Sequence, residues 1–388
     1  MVDKLDFYNT LTERHKVLSL YSKLELNTSA RCLSFERNEE VEFSKNKAVS
    51  VKLFPSYLSP AFKNEPELNI LKIPQSKING YAVVINEKTD IQSFLKDQYS
   101  KSFKQNINRF VNRLESCFNI QYKMYYGSIT SDDYQKYMLM LHDMLVTRFK
   151  QRNEKNDILE NWPFYLDSTY DLINSKKASL FVIYSDNTPI HICVNHHFDK
   201  LFFVSIPSFD LDYTKFALGN ISIYKLLEWA LDNDYNLLDM AYGDLEYKRR
   251  WSTLIYKFDH HIVYPKNIFK VGVLAKIEYN IIAFKNVLKK YRVDKKVKQL
   301  KSLVRGKKAQ LRLSTYSTID NIDLSQLKQL TPVDMNSEEG CMLKRPLFDF
   351  LFKQKEHISN INLFKNESDN EYVIIGKNAN QKISIQNT

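Results

Sequence analysis

Glycine and cysteine are scarce in this sequence, and their scarcity excludes several classes of protein. The 388 residues include only eight glycines and four cysteines. The cysteines (Cys32, Cys117, Cys193 and Cys341) are widely separated and form neither a CxxC pair nor a Cys/His cluster with metal-ligand spacing. We therefore expect no disulfide framework, no metal site and a reducing, cytoplasmic location.

Long apolar runs are also lacking. The first residues, MVDKLDFYNTLTERHKV, contain no apolar segment of the signal-peptide kind, and no window reaches the ~18 consecutive apolar residues of a membrane-spanning helix. We expect neither export by a signal peptide nor a membrane span. Hydrophobic residues nevertheless make up 44% of the chain and aromatic residues 13%, which is enough for a sizeable globular core.

Positive charge is concentrated in one segment. The net charge is +11, and residues 266–308 hold fourteen Lys or Arg against two acids, Glu278 and Asp294. The rest of the chain is therefore nearly neutral, which argues against a nucleic-acid-binding function for the whole protein. Three interpretations of 266–308 stay open: docking on an anionic membrane surface, nucleic-acid binding, which the sparse aromatic residues of this segment disfavour, and a solvated helix packed on the domain.

Hydrophobic periodicity predicts a mixed chain of helices and strands. The predicted helices are 97–116, 130–150, 161–175, a helix that follows the Gly-Asn step at 219–220, and one or two basic helices over 266–304. The predicted strands are 48–54, 80–85, 120–127, an antiparallel meander at 178–184, 189–197 and 201–206, and then 236–243, 257–265 and 371–377. Residues 54–62 are predicted to form a loop.

Three blocks in a fixed order carry a resemblance to a known family. They are the basic helix SKSFKQNINRFVNRLE, the meander LFVIYSDNTPIHICVNHHFDKLFFV with its continuation DYTKFALGNISIYKLLEWALDNDYNLLDM, and GDLEYKRRW. Over about 96–265 this order is similar to that of GNAT-fold acyltransferases of the cellulose-biosynthesis (CelD-like) type, which are related to the Fem aminoacyltransferases. Where the family usually has a Pro-Gly step before the helix, this sequence has Leu218-Gly219.

The resemblance implies a mixed α+β protein with the GNAT fold. A splayed mixed β-sheet would be flanked by helices, and acyl-CoA would bind where two central strands separate. The expected division is an N-terminal GNAT-like half at 1–95, in tandem with a GNAT acyltransferase domain at 96–265. A basic helical segment at 266–308 and a small polar C-terminal appendage at 309–388 would follow.

The resemblance also implies a pyrophosphate site for CoA at the start of the helix after the meander. Bare backbone N–H groups at a helix start, together with the helix dipole, favour phosphate. The residues assigned to the cofactor are Lys215, Leu218, Gly219, Asn220, Ile221 and Ser222. Taken alone, the same stretch also fits a plain helix start with Asn220 or Ser222 as its N-cap.

The candidate catalytic residues are Lys248, Tyr247, Asp239 and His196. The phenol can protonate the departing CoA thiolate, and the lysine can stabilise a tetrahedral intermediate or bind a phosphorylated acceptor. Asp239 would be a general base or an anchor for the lysine, or it would form a structural ion pair with Lys248 or Arg249. His196 and His197 alternate faces of their strand, so only one can serve as a base in the cleft; the alternative is that both are half-exposed strand residues.

The candidate acceptor-binding residues are Arg109, Lys104, Asn195 and Arg249. Arg109 and Lys104 lie on the basic face of the first block, where they would hold a phosphate of a nucleotide- or lipid-linked sugar. Asn195 lies on the meander strand that would present backbone groups to the thioester. The alternative for the basic helix is a solvated face.

The function expected from this pattern is N-acyl transfer. An acyl group, most simply acetyl from acetyl-CoA, would move to a primary amine of a sugar or cell-envelope precursor by direct attack, without a metal or a covalent enzyme intermediate. Two alternatives stay open: Fem-like transfer from aminoacyl-tRNA to a peptidoglycan precursor, and a non-catalytic scaffold in a polysaccharide or envelope complex. The expected location is the cytoplasm, at the inner face of the membrane if 266–308 docks there, and nucleic acid is not an expected partner.

Overall fold

The computed structural model describes residues 2–35, 40–41, 46–85, 89–153, 156–290, 315–324, 330–366 and 371–386. Its helices are α1 Phe7–Thr12, α2 Ile91–Gln98, α3 Lys101–Cys117, α4 Ser131–Arg152, α5 Asp157–Glu160, α6 Trp162–Asn174, α7 Leu218–Asp232, α8 Glu246–Trp251, α9 Phe269–Lys290, α10 Glu338–Met342 and α11 Lys344–Gln354. In the ranges given above, no helix combines the length and the apolar character needed to cross a membrane.

The strands are β1 Val2–Asp6, β2 Val17–Leu18, β3 Tyr21–Leu26, β4 Arg31–Cys32, β5 Glu40–Val41, β6 Ala48–Pro55, β7 Leu58–Phe62, β8 Leu68–Val84, β9 Ile120–Tyr125, β10 Ala178–Ser185, β11 Thr188–Phe198, β12 Leu201–Phe209, β13 Leu237–Tyr242, β14 Leu254–Pro265, β15 Thr315–Asp320, β16 Leu330–Pro332, β17 Asn362–Asn366, β18 Glu371–Ile375 and β19 Asn380–Gln386. A short 3-10 turn, Leu211–Phe216, joins β12 to α7.

Nine strands form one mixed sheet in the order β1-β6-β14-β8-β13-β12-β11-β10-β9. The pairs β1/β6 and β12/β13 are parallel, and the other neighbours are antiparallel. The sheet is continuous across the predicted boundary at 95/96, because β8 pairs with both β13 and β14. Whether 1–95 is a GNAT-like half in its own right stays a prediction.

Helices cover both faces of this sheet. Phe181 and Ile183 of β10 pack in one cluster with α3 and α7, whereas Leu180 and Val182 pack in another with α4 and α6. This alternation follows from the two-residue period of a strand that is buried on both sides. The α1 region packs on the sheet near β6 and β14, and α9 packs against β6, β8 and β14. The mixed α/β fold class predicted from the sequence is confirmed.

Most predicted elements have their counterparts, with some differences. The loop prediction for 54–62 was wrong, because β6 and β7 both enter this stretch and a turn at Ser56-Tyr57 separates them. The predicted helix at 97–116 is in fact α3, preceded by the separate helix α2, which Asp90 caps by accepting from two backbone N–H groups. The predicted basic helix is α9 up to Lys290, and the remainder of 266–308 lies outside the described residues.

The C-terminal segment is a folded unit over its described residues. Strands β15–β19 form an antiparallel sheet in the order β15-β19-β18-β17-β16, and α11 joins this sheet to the main core. Phe348 of α11 packs on Phe118 and Tyr213 with ring centroids 5.0 and 4.6 Å apart. The expected polar appendage is therefore a unit whose helix completes the core beside α3 and the 211–216 turn.

Candidate functional site

A cleft opens where two central strands separate. β12 and β13 pair in parallel over only three positions, the last being Phe203 opposite Asp239. Beyond that point residues 204–207 of β12 and 240–242 of β13 line opposite sides of a cavity of about 790 Å³, which we call the central cleft. The divergence has a local cause: the N–H of Ala241 donates to Asp239 Oδ1 at 2.7 Å, and Ala241 has a left-handed φ of 58° that turns the strand.

Asp239 is fully buried at the point where the strands separate. Its carboxylate accepts hydrogen bonds from the phenols of Tyr57 at 2.8 Å and Tyr256 at 2.7 Å. Burial raises the pKa of this carboxyl, and the hydrogen bonds from Tyr256 and Tyr57 oppose that shift. The side chain is therefore held rigidly by several donors, as a buried carboxylate must be. Arg249, one of its predicted partners, pairs instead with Asp244 at 3.1 Å.

Gly80 explains how Tyr256 reaches this carboxylate. Gly80 lies on β8 opposite Tyr256 of β14, and a Cβ built on Gly80 would overlap the tyrosine ring. Any larger residue would displace the ring from Asp239. Gly80 is therefore needed to let Tyr256 donate its hydrogen bond to Asp239.

Lys248 brings a buried amine to the wall of the central cleft. The residue is on α8, lines the cleft and donates from Nζ to the carbonyl oxygen of Tyr242 at 2.8 Å. Gly243 makes this possible with a φ of 102°, a conformation that side chains disfavour. Burial lowers the pKa of the Lys248 amine from 10.5 to about 8, and the charge of Asp239 opposes the shift. A large fraction of this amine is therefore neutral a little above neutral pH.

Tyr247 lies next to Lys248 in the same wall. It packs against the main core and lines the cleft. Burial raises the pKa of its phenol to about 12, so the group carries its proton at physiological pH. The cleft thus presents a proton acceptor and a proton donor on consecutive residues.

The start of α7 presents free backbone donors. Ala217 precedes the helix in a left-handed conformation and makes no side-chain cap, and a Cβ at Gly219 would meet nothing within 4 Å. The N–H groups of Asn220 and Ile221 donate to the carbonyl oxygen of Ala217. The N–H groups of Leu218 and Gly219 therefore stay available to a ligand. The alternative N-cap roles predicted for Asn220 and Ser222 do not occur.

Residues 101–249 match the sequence model of the family described as "Acetyltransferase (GNAT) domain". This chain carries a GNAT-type N-acyltransferase domain. GNAT domains use acyl-CoA as the acyl donor, and both the separated strands and the α7 start fall inside the matched range. Among curated proteins no sequence matches the chain.

Solved structures give weaker likenesses. A conserved protein of unknown function from Bacteroides thetaiotaomicron VPI-5482 is 12% identical, with a TM-score of 0.40 over 56% of this chain and 69% of that one. FemX is 8% identical, with a TM-score of 0.39 over 57% of this chain and 72% of the other. A tandem GNAT protein from the clavulanic acid biosynthesis pathway is 8% identical, with a TM-score of 0.29 over 55% and 63%.

The two histidines of the GNAT meander face opposite sides, as their spacing predicted, but both are buried rather than half-exposed. His196 Nδ1 is 2.9 Å from Ser205 Oγ, and Ser205 lines the central cleft. His197 is bonded on the other face to Ser179 and Tyr235, at 2.8 and 2.9 Å. Burial lowers the pKa of His196 to about 3. A base this weak accepts few protons at neutral pH, so burial disfavours the predicted base role of His196.

The candidate acceptor residues of the GNAT domain lie outside the cleft lining. Lys104 Nζ donates to the carbonyl of Gln92 at 3.0 Å, and Arg109 lies over the ring of Phe110. Asn195 is fully buried and contacts Ser179 at 3.3 Å. These contacts are structural, and the acceptor-binding role of these residues, like that of Arg249, stays a prediction.

Lys215 lies close to the C-terminal unit. It lines a separate cavity of about 420 Å³ with Arg113 of α3 and Tyr316 and Lys353 of the unit. Lys215 precedes the first residue of α7 by only three residues, so it also lies near the predicted pyrophosphate site. Across the described ranges, we find no group of three or more His, Cys, Asp or Glu side chains that could hold a metal ion.

Sequence reasoning missed several residues of the GNAT cleft. Tyr8 and Glu13 on the α1 side, and Tyr165 on α6, all line it, and the Tyr165 phenol donates to Glu13 Oε1 at 3.0 Å. Burial raises the pKa of Tyr8 strongly, and the charge of Asp239 adds to the shift. No local pattern marks these residues. Tyr8 and Glu13 reach the cleft through the pairing of β1 with β6, and Tyr165 reaches it through the packing of α6 on β10.

Proposed function

We propose that the central cleft transfers an acyl group, most simply acetyl, from acyl-CoA to a primary amine. In this proposal the acceptor is a sugar or another cell-envelope precursor, the location is the cytoplasm, and the protein is an acyltransferase of the CelD-like type. The observation that carries the proposal is the separation of β12 from β13 directly beside Lys248 and Tyr247. An acyl-CoA thioester placed there supplies an activated carbonyl carbon for the amine to attack.

Lys248 acts as the base in this proposal. An acceptor amine enters as an ammonium ion and must lose a proton before its nitrogen can attack. The neutral Lys248 amine, with its pKa lowered to about 8, takes that proton directly or through a water molecule. The resulting lysine ammonium is stabilised by the Tyr242 carbonyl and by the charge of Asp239.

Tyr247 acts as the acid. Attack forms the new C–N bond, the C–S bond then breaks, and the sulfur leaves as a thiolate that needs a proton. The protonated phenol of Tyr247 supplies it. The acceptor nitrogen loses its second proton as the amide forms, and a water molecule carries that proton to the Tyr247 phenolate, which restores the phenol. Asp239 contacts neither reactant in this scheme, and it is a positioning residue that holds the Lys248 charge and fixes β13 at its turn.

The coenzyme's pyrophosphate binds at the α7 start, with Lys215 nearby. α8 links this end to the cleft, because Trp251 Nε1 donates to Asn220 Oδ1 at 3.1 Å while Lys248 lies on the same helix. Three residues of helix correspond to a rise of about 4.5 Å. A pantetheine arm can therefore run from the Leu218 and Gly219 amides toward the Tyr247 and Lys248 wall.

The outer wall of the cleft suits a cationic acceptor. Asp6, Glu13 and Asp157 are part of its lining, together with Lys4 and Arg14. Carboxylates at the entrance attract an ammonium ion before it is deprotonated. This arrangement supports an amine acceptor with polar or cationic groups around it.

The test is a thiol-release assay with acetyl-CoA and longer acyl-CoAs against a panel of amino sugars and simple amines, with aminoacyl-tRNA run in parallel. We expect thiol release that requires both acyl-CoA and an amine and that Lys248→Met abolishes. Transfer from aminoacyl-tRNA alone would favour the Fem-like alternative. A folded protein with no turnover of any donor would favour the scaffold alternative.

A further inference from the structure

Helix α9 exposes an apolar face to solvent. Its most exposed apolar side chains are Phe269, at 85%, and Phe284, at 63%. Six others are also exposed on the same helix: Val273, Leu274, Ile277, Ile281, Val287 and Leu288. At 100° per residue these eight side chains fall within one arc of about 140° along a helix roughly 33 Å long. Lys270 and Asn280 also fall within this arc, and the other side chains exposed there are apolar. An exposed surface this rich in apolar side chains on a folded protein marks an interaction site.

The opposite face of α9 is the one that holds the helix on the protein. Ala275 and Ile282 are buried against β8 and β14, in a cluster with Ile262 and Tyr264. Glu278, also on this side, pairs with Lys4 at 2.9 Å. Because these contacts fix the orientation of α9, a small rotation of the helix would not bury the exposed arc.

Positive charges border the exposed arc. Lys276 falls at one edge and Lys285 at the other, and Lys270 lies in the first turn. The only acid on the helix, Glu278, faces inward. The sequence from 291 to 308 adds eight Lys or Arg against one acid. Apolar side chains flanked by lysines match the boundary between the acyl chains and the negative headgroups of a bilayer.

We propose that the exposed face of α9 docks on the surface of an anionic lipid bilayer. The apolar arc enters the interface between headgroups and acyl chains, and Lys276 and Lys285 pair with lipid phosphates. Docking would hold the central cleft behind α9, about one helix diameter (~10 Å) from the bilayer, because Lys4 both lines the cleft and contacts Glu278 on the inward side of this helix. A lipid-linked acceptor could then reach the cleft from the bilayer. The docking itself does not depend on the chemistry proposed for the cleft.

The test is co-sedimentation of the full chain with vesicles. Vesicles of phosphatidylglycerol and phosphatidylcholine are compared with vesicles of phosphatidylcholine alone. We expect the protein to bind the anionic vesicles, and the double variant Ile277→Asp/Phe284→Asp to lower the partition coefficient by about tenfold or more. The matched control is Leu139→Asp, since Leu139 is 64% exposed on α4, away from α9, and we expect it to bind like the wild type.

Three further measurements decide between occupants of the α9 face. Lys276→Gln/Lys285→Gln should weaken binding to anionic vesicles by about fivefold per lysine. Phe269→Ser, at a position too exposed to affect folding, should weaken binding to anionic vesicles as well, with an unchanged unfolding temperature.

The proposal is overturned if the wild type stays in the supernatant with anionic vesicles. It is also overturned if sedimentation velocity shows a dimer that Ile277→Asp/Phe284→Asp dissociates while vesicles bind neither protein, because a second copy would then cover the face.

Discussion

A lysine amine enclosed by protein loses the water that stabilises its charge, and Lys248 is such a residue. The Tyr242 carbonyl and the nearby Asp239 carboxylate stabilise the charged amine, but they do not fully replace the water that it loses on burial. The charged form is therefore disfavoured, and the amine becomes a useful base near neutral pH. The base role that we propose for Lys248 depends on this lowering of its pKa.

The first prediction concerns pH and stability at Lys248. The folded pKa, about 8, lies below the unfolded value, so between these two pH values the unfolded chain binds more protons and stability rises with pH. Below pH 8 the folded state carries the buried charge. Lys248→Met should therefore abolish turnover yet raise stability at pH 7 by on the order of 1 kcal/mol. Denaturant unfolding at pH 7 and 9.5 checks this, and a less stable variant with full turnover would contradict it.

The second prediction separates Asp239 from Lys248. The Asp239 charge raises the pKa of Lys248 against the effect of burial. In Asp239→Asn the rate should still rise with pH, but its midpoint should fall below the wild-type value near 8. The control is Asp244→Asn, because Asp244 pairs with exposed Arg249 and should leave the midpoint in place. An unshifted profile in Asp239→Asn would mean that the carboxylate does not act through the lysine.

Single elements of this fold show what the sequence could predict. The meander, α7 and β13 were predicted near their observed bounds, because each has a clear period and turn residues at its ends. Gly219, Tyr247 and Lys248 were singled out because they follow those elements in a recognisable order. Tyr57 could not be found in this way, since it contacts Asp239 across 182 residues of sequence and lay in a stretch predicted to be a loop.

The third prediction concerns the contact between β8 and β14. Gly80→Ala should force the ring of Tyr256 away from Asp239 and cost about 1–3 kcal/mol of unfolding free energy, because the added Cβ would overlap an atom of this buried ring. Turnover should fall with it. Gly219→Ala is the matched control for stability, because a Cβ there meets open space. Equal unfolding midpoints for the two variants would show that the Gly80 contact is unimportant.

The exposed face of α9 shows how tertiary context limits sequence reasoning. Its apolar residues suggest a core helix, yet the sheet contacts only one side of the helix. Hydrophobic periodicity predicts that a helix has an apolar stripe, but it does not predict which surface covers that stripe. The same limit applies to the C-terminal unit, whose α11 supplies core residues although the surrounding sequence is polar.

On the scale of the whole molecule, the C-terminal unit and the GNAT domain share one core. Phe348, Leu347 and Leu351 of α11 belong to the same buried cluster as Phe118 and Phe216. We therefore expect the two parts to unfold together. The unit also borders Lys215, so its loss would disturb the surroundings of the α7 start.

The fourth prediction tests this shared core. Phe348→Ala should destabilise the protein by about 3–5 kcal/mol and lower the unfolding temperature seen by tryptophan fluorescence. All three tryptophans, at 162, 229 and 251, lie outside the C-terminal unit, so their signal reports only on the rest of the protein. Ile319→Ala, at an exposed position of the unit, should change little. A tryptophan transition unchanged by Phe348→Ala would mean that the unit folds separately.

We expect acyl-CoA to bind along the α7 start and into the cleft between β12 and β13. Calorimetric titration of acetyl-CoA into the wild type, Gly219→Trp and Lys248→Met tests it most directly. Acetyl-CoA should bind to the wild type and to Lys248→Met. It should not bind to Gly219→Trp, whose indole would occupy the open space beside the free amides. No heat of binding to the folded wild type at millimolar acetyl-CoA, or equal affinity in Gly219→Trp, would contradict it.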